Sequence, residues 1–177
     1  MRHISVHGTA MALMLGLAGL ANADLAVPLH EATQDGPGQE IGTVTISESE
    51  HGLVFLPDLA HLEPGIHGFH VHENPSCDAA EKDGEMVPAQ AAGGHYDPDE
   101  SDAHGTPWGE GHRGDLPALY VVSDGTASTP VLAPRLKSLD EIRNRSLMVH
   151  DGGDNYSDSP EPLGGGGSRM ACGVIGD

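Results

Sequence analysis

Histidines carry the chemistry this sequence can do. His70 and His72 stand two apart in Gly68-Phe69-His70-Val71-His72. On a β-strand that spacing sends both rings to one face, while Phe69 and Val71 turn to the other. His95, His104, His112 and Asp115 follow as H-x8-H-x7-H-x2-D. Three imidazoles and one carboxylate satisfy a tetrahedral divalent cation with no open position, which is the pattern of a structural zinc site. Gly105, Pro107, Gly109, Gly111 and Gly114 let the intervening chain double back around a small ion. The competing reading is a solvated, histidine-rich loop without metal. His150 closes the apolar run Leu147-Met148-Val149 and, taken alone, marks only a local contact. His30, His51, His61 and His67 have no comparable partners and read as surface or structural residues.

The elements that must position these side chains follow from composition and pattern. The chain has 177 residues, with 8 Lys+Arg against 27 Asp+Glu and a formal charge of −19. That balance excludes a nucleic-acid binder, which needs a positive surface to release counterions. Only 6 aromatics occur (1 Trp, 3 Tyr, 2 Phe), against 25 Gly and 13 Pro, so many turns between short strands fit better than long packed helices. Residues 41–47 alternate, with Ile41, Val44 and Ile46 toward one face or its edge. Further strands are expected at 52–56, 66–73, 119–122, 147–150 and 171–175. Ser138 and Glu141 have capping spacing, which makes 138–145 the one helical candidate. Residues 74–116 and 151–170 show no period and are rich in Gly, Pro, Asp and His. Loops that long inside a compact domain are expected to be functional. The whole reads as an all-β sandwich or barrel.

Residues 11–20 form a short apolar run, followed by Ala21-Asn22-Ala23. That is the form of a signal peptide over residues 1–23, and the run is too short for a bilayer span. Residues 24–177 then make a single domain. No later stretch reads as a membrane span, and the mature chain is expected to be exported. Cys77 and Cys172, an even count in an exported chain, default to one disulfide, with two free thiols as the alternative.

Five segments (68–73, 93–98, 111–117, 148–155 and 164–175) resemble copper/zinc superoxide dismutase, in its bacterial periplasmic form. The resemblance implies a Greek-key β-sandwich or flattened barrel of about eight antiparallel strands with two long functional loops. It implies one copper and one zinc ion per subunit. Copper would lie on His70, His72, His95 and His150, and zinc on His95, His104, His112 and Asp115, with His95 shared. Arg169 would be the active-site arginine, with His95 its catalytic companion. Asp154 would link a copper histidine to a zinc histidine, and Cys77–Cys172 would be the intrasubunit disulfide. The implied activity is dismutation of superoxide to dioxygen and hydrogen peroxide in the periplasm.

The implied assembly is a homodimer, with a monomer as the alternative and Trp108 as the candidate interface anchor. Four basic residues fall within 135–145, and Arg135 and Lys137 among them are candidates for steering the anion. The runner-up function is a periplasmic copper/zinc binding protein of the same fold without turnover. A zinc hydrolase ranks third, because no glutamate base stands beside an open zinc position.

Overall fold

The computed structural model describes residues 24–176, so the leader expected at 1–23 lies outside the described residues. Eleven strands follow in chain order: β1 (Leu25–Thr33), β2 (Gly36–Ser49), β3 (Gly52–Leu59), β4 (Gly65–His67), β5 (Phe69–His72), β6 (Ala80–Lys82), β7 (Glu85–Val87), β8 (Leu119–Val121), β9 (Val131–Ala133), β10 (Arg145–His150) and β11 (Arg169–Ile175). Seven of them form one antiparallel, curled sheet in the order β5-β10-β11-β1-β2-β3-β9. The ribbons β4–β8 and β6–β7 pair separately. Among the described residues there is no α-helix, and no helix is long and apolar enough to cross a membrane.

One apolar core lies inside the curl. Val27 and Leu29 of β1, Val44 and Ile46 of β2, Leu53 and Phe55 of β3, and Phe69 and Val71 of β5 are all buried in it. Phe55 and Phe69 meet edge to face with centroids 5.9 Å apart, a favoured aromatic arrangement. Leu119 and Val121 of β8 bury into the same core, so the small ribbon covers a side that the large sheet leaves open. The odd spacing of Ile41 and Val44 also has a cause. Leu29 pairs with Gly42 but His30 with Glu40, so Ile41 is the extra residue of a bulge that turns it inward.

Several expectations change. The strand read at 66–73 is two strands, broken at Gly68, whose N–H donates to Gly152 O at 2.8 Å. Of the eleven strands, β1, β6, β7 and β9 lie where the sequence pattern marks no strand. The helix at 138–145 is a single 3-10 turn, Leu139–Glu141. Its capping contact exists, with Glu141 Oε1 accepting the Ser138 N–H at 3.1 Å. The turn cannot continue because Asn144 adopts φ 57°, outside the helical region. Met148, on the face of β10 turned away from the main core, is buried with Cys77, Ala89, Ala92 and Cys172, because the long loop folds over that face.

Candidate metal centre

Strand β5 sets the frame. Its inward Phe69 and Val71 anchor it in the core, and its outward His70 and His72 are buried too, beneath the loop that carries His95 to Asp115. The loop is stitched to the strand by backbone. Val71 N–H donates to Gly114 O at 2.9 Å, and Tyr96 N–H donates to Val71 O at 2.8 Å. Bridges set Asp115 beside His70 and His95 beside His72. His150 arrives from the end of β10, the strand paired with β5.

His95 lies at the middle. Its ring centroid is 4.1 Å from that of His70, 5.0 Å from His72, 5.3 Å from His104 and 5.2 Å from His112. The ligand atoms of His70, His72, His95 and His150 all lie within 4.8 Å of one another. His72 Nε2 and His150 Nε2 are 3.3 Å apart, while His70 Nδ1 and His95 Nε2 are buried with no hydrogen-bond partner. On the other side, Asp115 Oδ1 lies 2.9 Å from His95 Nδ1, 3.1 Å from His104 Nδ1 and 3.3 Å from His112 Nδ1. His104 Nδ1 is close to that oxygen without hydrogen-bond alignment, and it too has no partner. Folded proteins leave few buried polar atoms unpaired, and among the described residues three of the six unpaired ones are ring nitrogens of this one cluster, so orphans converging from separate elements fit a cation held between them. A second grouping within that distance is His70, His95, His104 and Asp115, which does not include His112. His70 Nδ1 is already part of the first set, whereas His112 directs Nδ1 at the same Asp115 oxygen as His95 and His104. His112 therefore suits the second set better than His70 does.

Charge agrees with this donor chemistry. Burial is the largest influence on His70, His72, His95 and His150, and lowers all four; His95 falls to about 3 and His150 to about 2. These rings are neutral at physiological pH, with lone pairs available. Burial would also lower His104, but the close carboxylates of Asp115 and Asp154 outweigh that and raise it to about 9. Burial would raise Asp115 and Asp154, yet their histidine neighbours, His104 foremost, hold both well below the usual carboxylate range.

A second layer fixes the rings. Asp154 lies between the two sets, with Oδ2 2.8 Å from His70 Nε2 and Oδ1 2.8 Å from His104 Nε2. Its Oδ1 also accepts the Tyr156 N–H at 2.7 Å. Gly164, at φ +72°, makes room for this contact, since a Cβ there would collide with Asp154 Oδ1 and His104 Nε2. His72 Nδ1 donates to Gly93 O at 3.0 Å, and Arg169 donates to the same oxygen from Nη2 and to Ala89 O from Nη1, both at 2.6 Å. Cys77 and Cys172 form a disulfide with Cα atoms 5.7 Å apart, tying that segment to β11.

A cavity of about 200 Å³ opens onto the first set, lined by His72, His95, His150, Gln90, Lys82 and Arg169 among others. Lys82 had not been singled out from the sequence. It sits on the β6–β7 hairpin, whose turn residues Asp83 and Gly84 both have positive φ, so the Asp-Gly pair was the signal that could have found it. Arg135 and Lys137 are elsewhere. Arg135 donates to Gly111 O at 2.6 Å and pairs with Asp99, while Lys137 Nζ donates to His51 O at 3.4 Å. Trp108 is 70% exposed, its ring 6.5 Å from that of Tyr156. His67 is buried, with Nδ1 2.9 Å from His150 O and Nε2 2.8 Å from Glu63 O, a structural role.

Residues 40–175 match the family model described as copper/zinc superoxide dismutase. The Cu-Zn superoxide dismutase of Pasteurella multocida is 64% identical over 138 residues, 77% of this chain and 74% of that one. The solved Cu/Zn superoxide dismutase from Brucella abortus superposes with a TM-score of 0.85 at 61% identity, over 86% of this chain and 99% of that one. The solution structure of the monomeric copper, zinc superoxide dismutase from Salmonella enterica gives 0.78 at 58% identity, over the same 86% and 99%.

Proposed function

The chain belongs to the copper/zinc superoxide dismutase family, and from that premise we propose how its residues divide the work. It is an enzyme that converts superoxide to dioxygen and hydrogen peroxide, with copper and zinc as cofactors. In our assignment His70, His72, His95 and His150 hold copper, and His95, His104, His112 and Asp115 hold zinc. The observation that carries it is the sharing of His95, which turns an orphaned Nε2 to one donor set and Nδ1 to the other. Copper supplies the one-electron redox change, and zinc a fixed charge. Asp154 holds the outer nitrogens of His70 and His104, so that their Nδ1 atoms face inward.

Arg169 draws the anion down the channel and orients it. Its guanidinium is fixed by two carbonyls, so it need not reorganise when a small anion arrives. Lys82 places a second positive charge at the channel wall, where a local field can attract an anion to a strongly acidic protein. We assign steering to Lys82 ahead of Arg135 and Lys137, which hold backbone elsewhere. His95 Nε2 is the atom suited to hold and give up a proton beside the channel.

The disulfide and the bacterial relatives make this an extracytoplasmic protein. Its finer setting, in our reading, is the periplasm, with residues 1–23 as signal peptide and 24–177 as the mature domain. We also read it as a homodimer. Trp108 and Tyr156 adjoin the β4–β8 ribbon through the Tyr156 hydroxyl, which accepts the Ala118 N–H at 3.0 Å. Ile66 and Tyr120, register partners on that ribbon, are exposed as well, so large apolar groups cluster on one face.

The test is superoxide decay by pulse radiolysis on protein loaded with one copper and one zinc per chain, beside Arg169→Ala. Fast decay that the substitution slows supports the assignment. Bound copper without decay would leave a carrier. Sedimentation of Trp108→Glu tests the dimer, and an unchanged mass would refute that interface.

A further inference from the structure

On the outer face of the large sheet lies a row of side chains that dismutation does not use. The register sets Cys172 of β11 opposite His30 of β1, and His30 opposite Glu40 of β2. Directly opposed residues share a face, so sulfur, imidazole and carboxylate follow one another across the sheet. Pro28, His30, Pro37, Cys77, Cys172 and Val174 line a cavity of about 250 Å³. On its other flank the disulfide is packed against Met148, Ala89 and Ala92, so this cavity is an approach to the sulfurs. His30 Nδ1 is 3.2 Å from Gly38 O. A carbonyl only accepts, so Nδ1 is the donor of this contact and Nε2 is left as the ring's acceptor.

We propose that this cavity is a thiol-exchange site, in which a small thiol attacks the Cys77–Cys172 disulfide and His30 carries the proton. The cavity falls below the roughly 300–1,000 Å³ of typical ligand pockets, which suits a thiol the size of cysteine. The incoming thiol gives its proton to His30 Nε2 and attacks Sγ of Cys77, the less buried of the two residues. The S–S bond breaks, its electron pair leaves on Cys172 Sγ, and that thiolate takes the proton back from His30. One mixed disulfide on Cys77 and one thiol at Cys172 result. The attacking sulfur is oxidised, the departing one is reduced, and no further reagent is consumed. The titratable group facing His30 is Glu40 from β2; Cys172 from β11 and Cys77 from the covering loop are disulfide-bonded and do not titrate until that bond opens. Asp78 lies beside Cys77, engaged by the Ser76 hydroxyl at 3.1 Å.

The experiment uses metal-loaded protein and free cysteine as the probe. Timed alkylation and mass mapping of the two cysteines follow the exchange from pH 6 to 10, in wild type, His30→Asn and Val174→Phe. A thiol ionises unaided only near pH 8.5, so a proton acceptor matters below that. Wild type is expected to react about tenfold faster than His30→Asn near pH 6.5, the gap closing above about pH 9.5, with dismutase activity equal in both. Val174→Phe, at the cavity rim, is expected to slow exchange at every pH, and the adduct is expected on Cys77. Equal rates for wild type and His30→Asn across the range would overturn the role of His30. Unimpeded exchange in Val174→Phe, or an adduct on Cys172 alone, would overturn the site.

Discussion

Replacing Asp154 by asparagine is expected to cost the protein its copper while sparing its zinc. The two carboxylate oxygens have unequal duties. Oδ1 accepts from His104 Nε2 and from the Tyr156 N–H, whereas Oδ2 accepts only from His70 Nε2. An asparagine keeps one acceptor, and the side with two donors claims it. The amide NH₂ then faces His70 Nε2, so two donors oppose each other in a site with no solvent exposure. Losing a hydrogen bond to a charged group costs about 1.5–3 kcal/mol. His70 can instead move its hydrogen to Nδ1, but that occupies the lone pair assigned to copper, and the loss falls in the same place. At roughly 1.4 kcal/mol per decade, copper affinity should drop about 10- to 100-fold, within the usual span for groups that orient metal ligands. Zinc affinity should change by less than about threefold, because His104 keeps its partner. Competition titrations with chelators of known affinity, run separately for Cu(II) and Zn(II), read both numbers. An equal or larger loss of zinc would refute the orientation argument, and no loss of either would refute the role of Asp154.

Other perturbations probe neighbouring parts of the same site. Arg169→Lys should lower the rate constant severalfold and Arg169→Ala by about tenfold or more, since one ammonium cannot span the carbonyls of Ala89 and Gly93; equal rates in pulse radiolysis would remove the arginine from the mechanism. Lys82→Glu should slow decay and flatten its dependence on ionic strength, while Lys137→Glu should do neither. Gly164→Ala should destabilise by at least about 1–2 kcal/mol from the left-handed backbone alone, and should weaken zinc retention through Asp154 and His104; an unchanged melting temperature would count against it. Metal-free protein should be most stable near neutrality. His95 and His150 are held neutral in the fold, so their contribution, complete above about pH 6.5, is lost as pH falls toward 3 and 2. His104 is raised, so its contribution is complete below about pH 6.5 and is lost as pH rises through about 9. Thermal melts with chelator present would expose both limbs, and a curve flat from pH 4 to 9 would contradict the assignment.

Legibility in the sequence followed how local each cause was. The period of two in Phe69-His70-Val71-His72 is a property of a strand alone, and those four residues face as that period dictates. The gathering of His95, His104, His112 and Asp115 was readable because the glycines between them let the loop double back and bring the side chains within reach of one another. β1 was missed because Pro28 interrupts its alternation, and only its pairing with both β2 and β11 makes it a strand. β9 is three residues held by β3, with no pattern of its own. The helix expected after Ser138 had a true start signal, but Leu139 and Ile142 drop into the core and the chain turns away. Lys82 went unnoticed because its importance lies in where a hairpin leans, which no spacing records.

One peptide oxygen, that of Gly93, deserves a last consequence. It receives both the Nδ1 hydrogen of His72 and a guanidinium hydrogen of Arg169. The two side chains come from β5 and β11, far apart along the chain, yet both are dimensioned from one datum. Gly93 itself sits at φ +77°, where a Cβ would collide with Glu73 and Asn74, so the datum is fixed by a conformation other residues resist. In a long assembly, positional errors add from part to part. Here they do not add: a drift of the loop carries the histidine and the arginine together, and the separation between them is set by two hydrogen bonds.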